Sequence, residues 1–372
     1  MKKGVLVAFG ELFLKSKGVK DLFQRKLINN LRFFLEKENV EFKIKSLRER
    51  IFINTDGVKK TEKIVKRTFG ISWLAESYIF SDFEELLGHV NKNYPKWIKK
   101  NESFAIRMKK DRKLIDKLAE KIDRKVNLDK PEKELFIEKR DNNWFLYFKK
   151  KKGAGGLPLG SSGKVLSLIS GGIDSVPASY LIAKRGADNI WVHFHSFPVS
   201  SKKSIEKVKE LAVVFSRYNP KLKVYFVPFK DIQLEIKTKT PANLRVLLYR
   251  RFMLKIAEKI AKKEDCKAIV TGESLGQVSS QTLSNMKITQ KGVNLPILRP
   301  LIGLDKEEII ALAKDIKVFD ISIKPQEDCC TLFIPKGQTA EGDLKEVKKY
   351  EKQLDLQKLV KNAIKTKSDC YF

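Results

Sequence analysis

The stretch Ser170-Gly171-Gly172-Ile173-Asp174-Ser175 decides how the second half of this chain folds. It follows the mostly apolar residues 165–169 and precedes a helix-like segment, residues 178–183. Glycine lets a backbone turn tightly and approach a ligand closely, and a helix N-terminus offers N–H groups and a positive dipole end. The order of strand, small-residue turn and helix therefore predicts a phosphate-binding loop.

The residues of the loop distinguish between kinds of phosphate site. A kinase-type P-loop ends in Gly-Lys-Ser/Thr, and here no lysine follows within reach; the dinucleotide fingerprint is absent too. The pattern resembles the PP-loop of ATP pyrophosphatases, enzymes that cleave ATP at the α-phosphate, adenylate a carbonyl oxygen and release pyrophosphate. An ordinary strand-turn-helix connection with serine capping is the alternative. The loop alone leaves the acceptor of the adenylate open.

Composition limits the class of protein. With 372 residues and 42% hydrophobic residues, the chain can form two or three packed domains. A net charge of +31 predicts a polyanionic partner, although solvated lysines would give the same count. The first 152 residues hold 39 Lys and Arg against 22 Asp and Glu, so positive charge is denser there. Four cysteines are too few for a disulfide framework.

The N-terminal segment does not predict export. Met1-Lys2-Lys3 and the apolar residues 4–9 are superficially similar to a signal peptide, but Gly10-Glu11 ends the apolar stretch too early. No apolar run is long enough for a membrane span. We therefore expect a cytoplasmic protein without membrane contact, whose residues 4–9 form the first strand.

The front of the chain predicts two small modules. Residues 1–80 show the order β-α-β-β-α-β, which is ferredoxin-like. Residues 81–152 alternate helices and strands and are strongly basic. We expect the run from Phe104 to Lys113 to be a strand with positive side chains at alternate, exposed positions that contact RNA phosphates, unless it is only a solvated face. The candidate RNA-binding residues are Arg107, Lys109, Lys110, Arg112 and Lys113.

A Gly- and Ser-rich stretch, residues 153–163, predicts a linker to the domain formed by residues 164–372. Beyond it, strands near 165–169, 190–195, 223–227 and 267–271 alternate with helices, which predicts a doubly wound parallel sheet. Ligands of such sheets bind outside the carboxyl ends of the strands, where residues 170–175 would lie.

Further motifs carry a closer resemblance, which covers essentially the whole chain. They are 157–164, the block Thr271-Gly272-Glu273-Ser274-Leu275-Gly276-Gln277-Val278-Ser279-Ser280-Gln281-Thr282, Leu298-Arg299-Pro300-Leu301-Ile302 with Asp305-Lys306, and Glu327-Asp328-Cys329-Cys330. Together they resemble the ThiI-type tRNA sulfurtransferases, or 4-thiouridine synthetases. The resemblance implies a ferredoxin-like domain and a THUMP RNA-binding domain, whose start could lie near residue 57, before a PP-loop domain.

The resemblance implies a reaction and its residues. ATP adenylates O4 of uridine at position eight of tRNA, and a protein-bound sulfur then displaces AMP to give 4-thiouridine. Asp174 would position Mg²⁺ on the phosphates, and Lys306 would be the cation for the α-phosphate. The implied ATP-binding residues are Leu168, Ile169, Ser170, Gly171, Gly172, Ser175, His193, Phe194, Arg250, Gly272 and Gln281.

Cysteine would carry the sulfur, because a thiolate can hold a persulfide and attack an activated carbon. By resemblance Cys329 is the sulfur carrier, with Cys330 as the alternative, in a loop after an expected strand over 319–324. A structural thiol is the other interpretation. The product sulfur would be released by a second thiol, Cys330, Cys266 or Cys370, or by an external reductant.

The chain departs from the family pattern in three respects, one of which is the segment Ile334-Pro335-Lys336-Gly337-Gln338-Thr339, where a second proline is expected and absent. Family members usually read Ser-Pro-Val-Ala where this chain has Ser175-Val176-Pro177-Ala178. We also expect no rhodanese domain, so sulfur would come from a cysteine desulfurase or a small sulfur carrier. The resemblance further implies a homodimer and a second role in supplying sulfur to a carrier protein of thiamine synthesis.

Other functions remain open at this point. A lysidine synthetase-like or amidating PP-loop ligase shares the adenylation chemistry. An iron–sulfur thiolase would need cysteines as cluster ligands, but no Cys-x-x-Cys is present, so we expect no cluster. A non-catalytic RNA-binding protein with a decayed nucleotide site is the last alternative.

Overall fold

The computed structural model describes residues 2–10, 16–109, 111–325 and 339–372. The chain divides into two compact units, Met1–Pro158 and Leu159–Phe372. Within the described residues, no helix is both long enough and apolar enough to cross a membrane.

The first unit contains one mixed sheet with helices. Its elements are β1 (Lys2–Phe9), α1 (Lys17–Lys37), β2 (Lys43–Leu47), β3 (Arg50–Asn54), α2 (Val58–Arg67), β4 (Ile71–Phe80), α3 (Phe83–Trp97), β5 (Phe104–Met108), α4 (Arg112–Ala119), β6 (Lys133–Arg140), β7 (Asn143–Tyr147) and β8 (Lys151–Gly155). The strand order is β2-β3-β1-β4-β7-β6-β5, and β8 pairs with β4 beside this row. The first six elements have the predicted ferredoxin-like order.

Helix α1 forms where the sequence spaces apolar residues at three- and four-residue intervals. Phe23, Leu27 and Leu31 lie on one face of this helix and pack in one buried cluster with Val5 and Ile51 of the sheet. The alternation of inward and outward side chains along β1 selects the strand face that receives the helix. Periodicity alone was sufficient to predict this part of the fold.

Strand β4 joins the two predicted front modules. It pairs antiparallel with β1 over most of its length, with β7 at Ser77 to Phe80, and with β8 at Ile71 to Leu74. The modules predicted as 1–80 and 81–152 therefore share one continuous sheet.

The first residues of the expected linker form part of strand β8 rather than a flexible connection. A side chain on Gly153 would place its Cβ 2.4 Å from the carbonyl oxygen of Ile71. This glycine is needed for close approach to β4, a role that cannot be distinguished from flexibility in the sequence alone.

The second unit contains a parallel sheet. Its elements are β9 (Lys164–Leu168), α5 (Ser175–Lys184), β10 (Asp188–His195), α6 (Lys203–Phe215), β11 (Lys223–Pro228), α7 (Lys230–Lys239), α8 (Arg245–Lys263), β12 (Ala268–Val270), α9 (Leu283–Gln290), β13 (Ile297–Leu298), α10 (Lys306–Asp315), α11 (Phe319–Ser322), α12 (Leu344–Glu351), α13 (Leu356–Lys365) and β14 (Ser368–Tyr371). The strand order is β13-β12-β9-β10-β11-β14, and only β14 of these runs antiparallel to its neighbour.

Helices cover both faces of this sheet, as predicted for a doubly wound fold. Leu166 and Ile269 belong to a buried cluster with α8, whereas Val165 and Val270 pack on the other face in a cluster with residues of α5 and α10. Neighbouring residues on one strand thus serve opposite layers. From β9 the chain adds β10 and β11 on one side, then returns to add β12 and β13 on the other. The switch point lies between β9 and β12.

Candidate active site

A cavity of about 670 Å³ opens at this switch point. Loop 170–175 after β9 and the segment after β12 form part of its wall. In doubly wound sheets the loops diverge to opposite faces at a switch point, which leaves a crevice between the strand ends. The cavity therefore lies where the fold itself creates space for a ligand.

The loop after β9 has the features of an anion site. Gly171 has φ of +85°, a conformation that favours glycine. Ser170, Gly172 and Ser175 line the cavity, and Gly171 does not. The side chain of Asp174, the N-cap residue of α5, makes no capping hydrogen bond. The buried Oγ of Ser175 has no hydrogen-bond partner among the described residues. An unpartnered hydroxyl beside this helix N-terminus fits a phosphate group.

Asp174 lies between two donors from distant parts of the chain. Lys306 Nζ donates to Asp174 Oδ1 at 2.6 Å, and Gln277 Nε2 donates to Asp174 Oδ2 at 3.1 Å. The side chains of Asp174 and Lys306 are 23% and 44% exposed. The structure thus brings the two predicted catalytic groups into contact and adds Gln277, which the sequence analysis did not single out.

The start of helix α10 fixes the position of Lys306. Asp305 Oδ1 accepts a hydrogen bond from Glu308 N at 2.9 Å, and Glu308 Oε2 accepts one from Asp305 N at 3.0 Å. This reciprocal pair is a capping box, which defines where the helix begins. Lys306 is the first helical residue, so the cap sets the direction from which its side chain approaches Asp174.

Gly272 brings the two loops into backbone contact. A Cβ at this position would lie 3.0 Å from the carbonyl carbon of Asp174 and 3.0 Å from both N and Cα of Ser175. Contacts of 3.0 Å are tighter than almost all real Cβ contacts, so the facing backbone would have to shift by a few tenths of an ångström. Residue 272 is therefore glycine because the loop after β12 packs directly on the start of α5.

Arg250 of α8 lines the cavity within a network of charges. Its Nη1 donates to Glu273 Oε1 at 2.7 Å and to the carbonyl oxygen of Ser280 at 3.2 Å. Arg299 Nε donates to Glu273 Oε2 at 2.7 Å, and Thr271 Oγ1 donates to the same oxygen at 2.9 Å. Glu273 and Arg299 lay within motifs that carried the family resemblance, but no local pattern indicated that they meet Arg250.

The rest of the cavity wall is largely apolar. Leu168, Ile169 and Phe194 line it together with Val246 and Met253 of α8. A mostly apolar wall with a few polar groups at one end suits a nucleotide, whose base is flat and whose phosphates are charged. Gln281 also lines the cavity, and its Oε1 accepts a hydrogen bond from Ser274 N at 3.2 Å.

His193 lies behind the wall rather than in it. It is fully buried, and its Nδ1 lies 2.8 Å from the carbonyl oxygen of Ile169, which accepts the ring proton. Burial lowers the pKa of His193 to about 4, so the ring is neutral near pH 7. The structure thus gives this predicted ATP-binding residue a contact with the wall residue Ile169 instead of a place on the cavity surface.

The predicted RNA-contact residues lie in the first unit and do not form one strand. Strand β5 ends at Met108, and Arg112 and Lys113 instead begin helix α4. Asp111 Oδ1 caps this helix by accepting from Leu114 N at 3.3 Å. The alternating-charge prediction is wrong because an N-cap residue interrupts the run.

These residues also differ in availability. Arg107 donates to Glu134 Oε1 at 2.7 Å and to the carbonyl oxygen of Leu128 at 2.8 Å. Lys109, Arg112 and Lys113 are exposed. Lys110 lies outside the described residues.

Cys329 and Cys330 also lie outside the described residues. Upstream of them, the expected strand over 319–324 is wrong, because Phe319–Ser322 form helix α11. Alternating apolar residues in so short a run do not discriminate strand from helix. Cys266 is buried, which raises the pKa of its thiol to about 12, and burial also raises the pKa of the Cys370 thiol. Neither described cysteine is activated as a nucleophile.

Among the described residues, no three His, Cys, Asp or Glu side chains form a group that could hold a metal ion. The carboxylate of Asp174 is the nearest hard oxygen donor on the loop, which fits Mg²⁺ carried in on phosphates.

The sequence matches two family models and is similar to known proteins over almost its whole length. Residues 160–356 match the model described as thiamine biosynthesis protein (ThiI), and residues 4–75 match that of the ThiI ferredoxin-like domain. A protein of Thermoanaerobacter sp. (strain X514) named "Probable tRNA sulfurtransferase" is 39% identical over 375 residues, covering 97% of this chain and 98% of that protein. A protein of the same name from Alkaliphilus metalliredigens is 36% identical, covering 98% and 97%.

A solved structure is also similar over the entire chain. It is described as a 4-thiouridine synthetase–RNA complex with bound ATP, and it matches with a TM-score of 0.91 and 30% identity, covering 100% of both chains. The predicted fold class, with a ferredoxin-like N-terminal domain and a parallel-sheet PP-loop domain, is confirmed by these matches.

Proposed function

The chain belongs to the ThiI family, and from this premise we propose how its residues divide the work of ATP-dependent sulfur transfer to tRNA. The protein is a tRNA sulfurtransferase that forms 4-thiouridine with ATP as cosubstrate. The single observation that carries the assignment of the site is the contact of Asp174 with Lys306. This contact lies beside the loop of residues 170–175, where the N-cap side chain of α5 makes no capping hydrogen bond.

The first half-reaction is adenylation of O4 of uridine eight. O4 attacks the α-phosphorus of ATP, an O–P bond forms, and the bond to pyrophosphate breaks. Ser170, Gly172 and Ser175 bind the departing pyrophosphate, with Gly171 giving the loop its turn. Leu168, Ile169 and Phe194 contact the base, His193 supports Ile169, and Gly272, Gln281 and Arg250 complete the pocket.

Lys306 exchanges partners during this step. In the structure its ammonium group is paired with Asp174. When the phosphates enter, the ammonium moves toward the α-phosphate and stabilises the charge that develops there. Asp174 would hold a Mg²⁺ ion carried on the phosphates, and such an ion would supply further neutralisation of their charge. Gln277 keeps the Asp174 carboxylate oriented while the lysine is away.

The second half-reaction transfers sulfur. The terminal sulfur of a Cys329 persulfide attacks C4, a C–S bond forms, and AMP departs with the former O4. A second thiol then attacks the Cys329 sulfur, which releases thiouridine and leaves a disulfide for an external thiol reductant to reduce. Cys330 is the runner-up carrier and the first choice as the second thiol. Burial disfavours Cys266 for either role.

The partners follow from this chemistry. We propose that a cysteine desulfurase, or a small carrier loaded by one, supplies the persulfide sulfur. Lys109, Lys110, Arg112 and Lys113 contact tRNA phosphates, and Arg107 supports this surface through its bond to Glu134. The family description supports a second role in providing sulfur to a carrier protein of thiamine synthesis. A homodimer in the cytoplasm, where tRNA is modified, completes the proposal.

The decisive experiment combines the protein with tRNA, Mg·ATP, a cysteine desulfurase and cysteine, followed by mass analysis of nucleosides. We expect a sulfur-for-oxygen gain at uridine eight. Cys329→Ser should block this gain but retain AMP formation, whereas Asp174→Ala should abolish AMP formation and retain tRNA binding. Equal thiolation by Cys329→Ser and wild type would overturn the assignment of the cysteine.

The alternatives give other outcomes when lysine is added to the assay or when the purified protein and the Asp174 variant are measured. A lysine adduct on cytidine would indicate a lysidine synthetase. A brown, cluster-like absorbance of anaerobically purified protein would indicate an iron–sulfur thiolase. Unchanged ATP turnover in Asp174→Ala would contradict the proposed role of the loop.

A further inference from the structure

Glu273 is a buried carboxylate in the wall of the nucleotide cavity that the reaction above does not use. It is 7% exposed and follows β12 by three residues. Three donors from three parts of the chain bind it: Arg250 from α8, Arg299 from the segment after β13, and Thr271 from the end of β12. A buried carboxylate with this many charge-assisted hydrogen bonds is strongly fixed in position.

The bonds to Glu273 also fix Arg250. The hydrogen bonds of Arg250 to Glu273 and to the Ser280 carbonyl both use Nη1. A guanidinium group is planar, so holding one of its nitrogens at two acceptors sets the direction of the others. Because Arg250 lines the cavity, its other N–H groups can meet an anionic part of a bound ligand.

Arg299 anchors the far side of the carboxylate. Its Nε binds Glu273 Oε2, and its Nη1 donates to Gln290 Oε1 at 3.0 Å. Arg299 does not line the cavity, and its side chain is 13% exposed. Glu273 therefore connects Arg299, which does not line the cavity, to Arg250, which does.

We propose that Glu273 is a positioning residue that, braced by Arg299, aims the Arg250 guanidinium at an anionic group of ATP. The inference builds on the proposed ATP-binding function. Glu273 is then necessary for tight nucleotide binding, although a carboxylate close to phosphates is by itself electrostatically unfavourable.

The direction in which ATP affinity changes distinguishes a positioning role of Glu273 from a purely electrostatic effect of its charge. Replacing Glu273 by Gln removes one negative charge from the cavity wall. If only the local field mattered, ATP would bind more tightly, since phosphates carry negative charge. If Glu273 positions Arg250, ATP binds more weakly, because glutamine offers an acceptor oxygen to only one of the two arginines and turns its NH2 group toward the other. The two guanidinium groups are then no longer held together by one carboxylate.

The test measures equilibrium binding of α,β-methylene-ATP, an analogue that cannot be cleaved at the α-phosphate, by the full-length protein. We expect Glu273→Gln to weaken binding about tenfold, the size of one charge-assisted hydrogen bond. Arg250→Met should weaken it by a similar factor. The double variant should bind no more weakly than Arg250→Met alone, because both substitutions remove the same contact.

Glu351 of α12 provides a matched control, because its two cationic partners lie on α8, the helix that also holds Arg250. Glu351 accepts from Arg251 Nη2 at 2.8 Å and from Lys255 Nζ at 2.6 Å, and it does not line the cavity. Glu351→Gln also removes the negative charge that pairs with the buried Arg251 and the half-buried Lys255, so it should lower thermal stability. Its affinity for the analogue should stay within about twofold of wild type.

Unchanged or tighter binding by Glu273→Gln would overturn the proposal, and so would additive losses in the double variant. If Glu273→Gln does not fold, Arg299→Lys tests the same point, because lysine keeps the charge but lacks the planar fork. Arg299→Lys should then weaken analogue binding severalfold, and wild-type affinity would contradict the proposal. Failure of the wild-type protein to bind the analogue would instead refute the proposed function.

Discussion

Gly272 shows how a single residue permits the contact between the two loops of the cavity. Its α-carbon faces the backbone of Asp174 and Ser175, and a Cβ at this position would lie only 3.0 Å from atoms of both residues. Both partners are main-chain atoms, which cannot rotate out of the way as a side chain can. Any substitution must separate the loops and move the phosphate-binding turn.

We therefore predict that Gly272→Ala lowers the free energy of unfolding by about 1–3 kcal/mol and weakens ATP binding. Gly303→Ala is the matched control, because no heavy atom lies within 4 Å of the position of its Cβ. Urea unfolding and nucleotide binding of both variants check the prediction. Equal behaviour of the two variants would show that the loops can separate at no cost.

The buried histidines predict a pH dependence of stability. In the folded protein burial lowers the pKa of His193 and of His195 to about 4, from about 6.5 when exposed. Between these values the unfolded chain binds protons that the folded chain does not. Stability is therefore lost as the pH falls from about 6.5 toward 4.

We expect His193→Gln to reduce this loss by about 2 kcal/mol between about pH 7.5 and about pH 5. The measurement is urea unfolding of wild type and variant at both pH values. Parallel losses in the two proteins would show that His193 is protonated as easily in the folded state as in the unfolded state.

Local sequence identified some site residues and missed others for a physical reason. Ser170, Asp174 and Ser175 follow one another in a turn whose chemistry is readable from the order of residues. Gln277 and Glu273 act through partners more than 20 positions away. Such contacts depend on how strands are ordered in the sheet, and strand order is not encoded in local spacing.

At the scale of elements, the N-cap of helix α10 holds a proposed catalytic group in place. Lys306 is its first residue, and the capping box of Asp305 and Glu308 fixes that start. Helix N-caps contribute about 1 kcal/mol to stability, and losing one frays the first turn. Fraying of this turn would displace Lys306 from Asp174.

Asp305→Ala should accordingly lower stability by about 1 kcal/mol and also slow AMP formation. Asp355→Ala removes the N-cap of α13, whose side chain accepts from Lys358 N at 3.1 Å, and serves as the control. We expect a comparable loss of stability there without loss of rate. Thermal unfolding and an AMP assay separate the two effects, and equal rates in both variants would contradict a positioning role for the cap.

The outcome of predicting elements depended on their length. Long periodic helices such as α1, and strands bounded by turn residues such as β10, were predicted because many residues repeat the same signal. The runs over 104–113 and 319–324 were not, because a capping aspartate divides the first and only a few residues define the second. Edge strand β14 gave no signal in the sequence, since it is partly exposed and mostly polar.

At the scale of the whole molecule, the charge of +31 predicts binding that depends on salt. If Lys109, Arg112 and Lys113 each contact one phosphate, replacing all three by Ala should reduce the slope of log K against log salt by about two to three. Filter binding of tRNA across a salt series measures this slope.

Three exposed lysines of α13, Lys358, Lys361 and Lys365, provide the control. Their replacement by Ala removes the same charge from the molecule, and we expect a much smaller change in slope. Equal changes for both triple variants would mean that net charge, rather than a defined surface, determines tRNA affinity.

The shared strand β4 limits where this chain can be joined to a related protein to make a chimera. One edge of β4 is hydrogen-bonded to the ferredoxin-like module and the other to β7 of the basic module. A chimera joined at residue 80 would keep the pairing of β4 with β1, since both strands come from the same parent. It would pair β4 with a foreign β7 at Ser77 to Phe80 and with a foreign β8 at Ile71 to Leu74, and the register of both new pairs would have to match. The smallest block that can be exchanged between relatives is therefore the entire first unit.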